Sequence, residues 1–206
     1  SALGTDTDLI VLGVSSAGIG WALDRICDAL VQPVPMVMIT KGMHPEAAGL
    51  TALPDHVARE VKRRKGFDLT VAAIGGPCIA GELAVRRHTG TVITSRDGGF
   101  ARSLCAMLET DYYHPRPSDD VVGVEVCAAF KNFFAIAVGW AAGHLEKMAP
   151  TENRAFNHNA AAIIFDQAIR ELMILVKAHG GTEQSVWGMP GAGDLYVTCQ
   201  AGRNSR

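Results

Sequence analysis

One lysine stands where an amine could move a proton, and a second lysine and a glycine-rich run stand where a ligand could bind. Lys131 lies inside VEVCAAFKNFFAIAVGW, an apolar stretch in which an ammonium must either snorkel to water or be held by partners, because burying it unpaired is expensive. Desolvation lowers the pKa of an amine, which makes it usable as a general acid or base near neutral pH. The alternative is a lysine on the exposed stripe of that helix. Lys41, in ITKGMHPEAAGL, follows the apolar run Met36 to Ile39 and would stand at the carboxyl end of a strand. Ligands of open α/β sheets bind there, although an ordinary surface lysine before a glycine turn fits the same residues.

The run GMPGAGDLYVTCQAGRNSR brings Asp194, Thr198, Arg203 and Asn204 within a few turns of glycine-rich chain. The planar fork of arginine, the neutral donors of threonine and asparagine, and backbone N–H groups opened by glycine together suit an anion such as phosphate. An aspartate among those donors would hold a cation or a substrate hydroxyl. A capped loop is the other reading. None of the seven histidines has metal-ligand spacing, and they are expected to be structural or exposed.

The elements that must carry these residues alternate along the first half. Apolar, β-branched runs near Leu9 to Val14, Met36 to Ile39, Leu69 to Ile74, Thr91 to Thr94 and Asp111 to Tyr113 read as strands. Helical patterns fall near Ala17 to Leu30, Ala52 to Arg64, Ile79 to Arg87 and Gly98 to Glu109. Strands apolar throughout, separated by crossover helices, argue a sheet at least partly parallel and covered on both faces. At HPRPSDD, Pro115, Pro117 and the pair Asp119 and Asp120 mark a break and a helix start. Long helices are then expected over Val121 to Leu145 and Asn157 to Ala178, joined by the polar linker EKMAPTEN, with Gly180 and Gly181 closing the second. The fold class is therefore α/β, a partial doubly wound (Rossmann-like) sheet followed by an all-helical domain, with boundaries at 1–117 and 118–206.

DLIVLGVSSAGIG has the strand, turn and helix order of a dinucleotide-binding turn, but not its spacing. After Gly18 and Gly20 the third glycine would fall at Leu23, and no acidic residue ends a second strand about 20 residues on. The 206 residues are 48% apolar and 19% charged with a net charge of −2, which gives no basic field for nucleic acid. VKRRKG reads as the solvated end of a helix, where cations are favoured. The most apolar region, Val121 to Gly143, contains Glu125, Lys131 and Asn132, so no membrane span is expected. Five cysteines without C-x-x-C spacing suit a reducing cytosol.

Four segments in one order, TKGM, GGPCIAGELA, VEVCAAFKNFFAIAVG and GAGDLYVTCQAGRNSR, resemble the NAD-dependent glycerol-3-phosphate dehydrogenases, and the likeness covers nearly the whole chain. DLIVLGVSSAGIG is similar to a later strand and turn of that family's nucleotide domain. Neither the glycine fingerprint nor the family's remaining helices lie in these residues, so the chain is expected to be an internal piece of a longer enzyme, inactive alone. The resemblance implies a 6-phosphogluconate-dehydrogenase-like helical domain and hydride transfer between NAD, with NADP not excluded, and C2 of dihydroxyacetone phosphate or glycerol 3-phosphate. By the same resemblance Lys131 is the general acid, Lys41 a second cation on the carbonyl oxygen and the cofactor side, and Asp194 the carboxylate that moderates them. Asn132, Thr198, Arg203 and Asn204 would grip substrate hydroxyls and phosphate, Arg203 would also reach the cofactor, and Ala80 would line the cofactor side.

The chain departs from the family at Cys78 and at His158, each standing where an asparagine is usual, and at Ala129 and Phe130 just before Lys131, which add bulk where the family has glycine and leucine. These departures keep open a dehydrogenase of another 2-hydroxy acid or a non-catalytic relative that kept the fold. The implied partners are a phosphorylated small molecule, with no nucleic acid and no membrane, and a second copy of the intact protein in a cytoplasmic homodimer.

Overall fold

The computed structural model describes residues 6–47, 49–144 and 158–200. Strands β1 (Ile10–Leu12), β2 (Met36–Met38), β5 (Val71–Gly75), β6 (Thr89–Ser95) and β7 (Tyr113–Ser118) form one sheet in that spatial order. β1, β2 and β5 run parallel, β6 is antiparallel to β5, and β7 is parallel to β6. Helices α1 (Ile19–Ala29), α2 (Leu53–Lys65), α3 (Ala80–Ala84) and α4 (Gly98–Leu108) lie between the strands.

Alternation along the strands explains the two covered faces. Met36, Met38, Val71 and Ala73 point into a core with Leu23 and Ile26 of α1 and Val57 and Val61 of α2, whereas Val37, Ala72 and Ile93 meet Leu104 and Cys105 of α4. The basic end of α2 is a solvated helix terminus as expected: Lys62 pairs with Asp68, Arg63 and Arg64 with Glu60, and Gly66 closes it in the left-handed conformation.

Two expectations need correction, and one element lies outside all of them. The break at HPRPSDD is an edge strand, β7, running through Pro115 and Pro117, because an outer strand tolerates residues that cannot donate to a ladder. The helix expected to reach Arg87 stops at Ala84, and Arg86 turns into positive φ (58°). A short hairpin, β3 (Met43–Glu46) with β4 (Gly49–Ala52), occupies the segment after Lys41, too short and polar to give a strand signal.

The helical part is built on α5 (Val121–His144), which packs on α6 (His158–Ala178), α7 (Glu183–Trp187) and α8 (Asp194–Gln200), and also on β5, β6 and the hairpin. Over Val121–Ala141 this helix is long and apolar enough to cross a membrane, with mean hydropathy 1.8, and 56% of that stretch is buried by its neighbours. The linker EKMAPTEN lies outside the described residues. Asp120 ties the start of α5 to the segment entering α7. Its Oδ1 accepts from the Gly123 N–H at 2.8 Å, and its Oδ2 accepts from the Thr182 N–H and hydroxyl and from the Ser185 hydroxyl at 3.0, 2.8 and 2.6 Å. Burial alone would raise this carboxyl, but those bonds outweigh it and hold it below the ordinary aspartate range.

Candidate active site

Three elements from distant parts of the chain meet at one carboxylate. β2 delivers Lys41: the Thr40 hydroxyl donates to the Val14 carbonyl at 2.6 Å, pinning the end of β2 to the end of β1. The turn that follows needs Gly42, whose φ of 127° is closed to ordinary side chains. Lys41 Nζ then reaches the Gly76 carbonyl just beyond β5 at 3.3 Å and Asp194 Oδ2 at 3.5 Å. Gly76 is itself at φ 105°.

α5 delivers Lys131, whose Nζ lies 2.7 Å from the same Asp194 Oδ2. Its side chain is only 16% exposed and that of Asp194 4%. Lys131 is thus a held ammonium rather than a snorkelling one. Burial pulls it below the ordinary lysine value, the neighbouring Lys41 charge lowers it further, and Asp194 opposes both. An amine lowered in this way gives up its proton more readily than an exposed lysine does.

Asp194 opens α8 after a π-helical turn, Met189–Gly193, that folds over α7. The turn approaches so closely that a Cβ on Gly191 would sit 2.2 Å from the Val186 carbonyl oxygen. Thr198, one turn on, is buried and donates its hydroxyl to the Asp194 carbonyl at 2.6 Å, so donation to a ligand requires rotation of its side chain. Asn132 and Ala80 are exposed, the first beside Lys131 and the second at the start of α3. Arg203 and Asn204 lie outside the described residues.

The departures noted in the sequence take definite places. Cys78 is exposed, and the charges of Lys41 and Asp194 reach its thiol. His158 is exposed at the start of α6. Ala129 is exposed rather than in the tightly packed place expected, while Phe130 packs against the helical core.

The model of the N-terminus of NAD-dependent glycerol-3-phosphate dehydrogenase matches residues 2–101, and that of its C-terminus matches residues 120–206. The chain belongs to this dehydrogenase family. The NADP(+)-dependent glycerol-3-phosphate dehydrogenase of Archaeoglobus fulgidus is 30% identical over 202 residues, which is 97% of this chain and 57% of that protein. Glycerol-3-phosphate dehydrogenase [NAD(P)+] of Nitrosomonas eutropha is 34% identical over 192 residues, 93% of this chain and 53% of its own length. The chain therefore spans about half the length of the curated relatives it matches. The crystal structure of the Coxiella burnetii glycerol-3-phosphate dehydrogenase superposes with a TM-score of 0.78 at 26% identity, covering 97% of this chain and 56% of that one. The Plasmodium falciparum glycerol-3-phosphate dehydrogenase shares the fold with a TM-score of 0.81 at 20% identity, covering 99% and 54%.

The residues present fit the reactive end of a nicotinamide dinucleotide. Beyond β5, Ala80 and Gly81 are small and exposed, and a Cβ on Gly81 would meet nothing within 4 Å, so the chain there leaves room for a flat ring. Sequence reasoning missed one residue of this setting: Glu125, fully buried on α5, whose Oε2 accepts the Gly42 N–H at 2.6 Å. An acidic residue six positions before Lys131 in an otherwise apolar helix was the available signal.

Proposed function

We propose that the complete protein carrying this chain is an NAD(P)-dependent glycerol-3-phosphate dehydrogenase that interconverts dihydroxyacetone phosphate and glycerol 3-phosphate, with Lys131 as general acid and base. The observation that supports it is the convergence of two ammonium groups, Lys131 and Lys41, on one oxygen of the buried Asp194 at the carboxyl ends of the strands. When bound, the nicotinamide supplies or accepts the hydride. On reduction C2 of the ketone gains the hydride pair, the carbonyl π electrons move to its oxygen, and Lys131 Nζ gives that oxygen a proton. Lys41 adds positive charge beside the developing alkoxide, and charge placed in advance where negative charge appears is the strongest aid such a site can give. Asp194 keeps the lysines in place and keeps the proton on Lys131 until it is needed. Asn132, Thr198, Arg203 and Asn204 are the proposed grip on substrate hydroxyls and phosphate. Five cysteines without C-x-x-C spacing support a reducing, cytoplasmic location.

The test is NADH or NADPH oxidation by the complete protein with dihydroxyacetone phosphate, against the Lys131→Met variant. Rapid oxidation that unphosphorylated dihydroxyacetone does not support, and a loss of at least about a hundredfold in kcat in the variant with cofactor affinity retained, is the expected result. Comparable turnover in parent and variant removes Lys131 from the chemistry.

A further inference from the structure

Glu125 is a charged residue type placed where nothing in the proton transfer uses it directly. It lies on α5 with no exposed surface, and its Oε1 meets no hydrogen-bond partner among the described residues. Its Oε2 takes the N–H of Gly42, the residue next to Lys41, at 2.6 Å. The Gly42 carbonyl on the other side accepts from the Leu53 N–H, the first residue of α2, at 3.2 Å. The Gly42 unit is therefore clamped from both sides, by α5 through a side chain and by α2 through its backbone. Its φ of 127° belongs to a conformation that only glycine adopts readily, so the clamp also stabilises the turn that aims Lys41.

We infer that Glu125 is a positioning residue: by accepting the Gly42 N–H it fixes the Lys41 turn to the same helix that carries Lys131, and so sets how closely the two ammonium groups approach at Asp194. The inference rests on the active-site reading above. α5 then controls both lysines, one by its own side chain and the other through the carboxyl of Glu125. A buried donor left without its acceptor loses its full desolvation energy, so the Gly42 N–H has a strong reason to stay on Glu125. The charged groups acting on Glu125 are Lys41, from the turn after β2, and Asp55 of α2. Burial pushes its carboxyl up to about 8, which leaves it mostly a neutral acid at pH 7 and its role one of reach rather than charge.

Three variants of the complete enzyme separate reach from charge. Glu125→Gln keeps an acceptor at the same length, Glu125→Asp keeps the carboxyl but withdraws it, and Glu125→Met keeps volume and removes the acceptor. Two readouts are taken: kcat and KM for dihydroxyacetone phosphate, and the pKa of Lys131 from the pH dependence of its competitive labelling with an amine-reactive reagent, read by mass spectrometry. The labelling needs no turnover, so it still decides the inference if the substrate assignment fails. With Glu125→Gln, kcat stays within about threefold of the parent and Lys131 labels as in the parent. With Glu125→Asp and Glu125→Met, kcat falls by at least about tenfold with little change in KM. In the same two variants the pKa of Lys131 rises by about one unit relative to Glu125→Gln, as the like charge of Lys41 moves away. Should Glu125→Met fail to fold, Glu125→Asp carries the comparison. Identical labelling of Lys131 in all folded variants overturns the inference, and so does a loss in Glu125→Gln as large as in Glu125→Asp.

Discussion

The buried carboxyl of Glu125 makes stability fall as pH rises, by an amount that can be worked out from its place in the fold. Its ordinary value is 4.5 and burial in α5 moves it to about 8. The folded state thus holds the proton more tightly than the unfolded chain. The stabilisation is fully present below pH 4.5, is lost progressively as the pH climbs, and is gone just above pH 8. At about 1.4 kcal/mol per pH unit, ionisation costs about 3 kcal/mol between pH 5 and 7.5 and about 5 kcal/mol when complete. Glu125→Gln removes this titration while keeping the acceptor for Gly42. Other groups titrate alike in both proteins and cancel in the difference. Urea or thermal unfolding of the complete parent protein and of the variant, measured from pH 5 to 8.5, should show the variant gaining about 3 kcal/mol on the parent up to pH 7.5. A gap between the two proteins that does not change with pH would refute the reasoning, because it would mean that Glu125 titrates as it does in an open chain.

Two further outcomes follow from the helical part. Asp120→Ala removes the acceptor of four hydrogen bonds, three that tie the start of α5 to the segment entering α7 and one within the first turn of α5, and should cost about 2–4 kcal/mol in urea unfolding. Because that carboxyl lies below its ordinary 3.8 when folded, its contribution is present above that value and disappears as the pH drops through the folded one, so parent and variant should converge in acid. Gly191→Ala drives a Cβ into the backbone of Val186 and must displace the π-helical turn that precedes Asp194. A shift of about 1 Å in a catalytic group can cost about a hundredfold in rate. The complete enzyme with Gly191→Ala should therefore lose kcat on that scale, and an unchanged kcat would separate the turn from the site.

Much of this arrangement was legible before any coordinates. Residue type and spacing singled out Lys131, Lys41 and Asp194, and the structure brings all three within one hydrogen-bonded cluster. Their positions could be read because each carries a signal that physics makes rare: an ammonium in an apolar helix, a lysine just past a buried strand, an acid after a run of glycines. The direction of β6 was not legible, since an apolar run looks alike whichever way it points. β7 was hidden by prolines that an edge strand accepts, and the β3–β4 hairpin by its length and polarity. Glu125 was noticed only as an obstacle to a membrane span. Its role depends on a backbone N–H 83 residues away, and no local pattern reports such a partner.

The Lys41–Asp194 contact joins residues 153 positions apart, one held by the sheet and the other by the last described helix. Contacts of such long range close late in folding, because the loop entropy between them is spent before they stabilise anything. A folding intermediate with a finished sheet would hold Lys41 without its carboxylate, and one with finished helices would hold Lys131 and Asp194 without the second cation. Neither half brings both ammonium groups to one carboxylate. Recovery of turnover during refolding therefore times the docking of sheet to helices, whereas secondary-structure signals time only the formation of the parts.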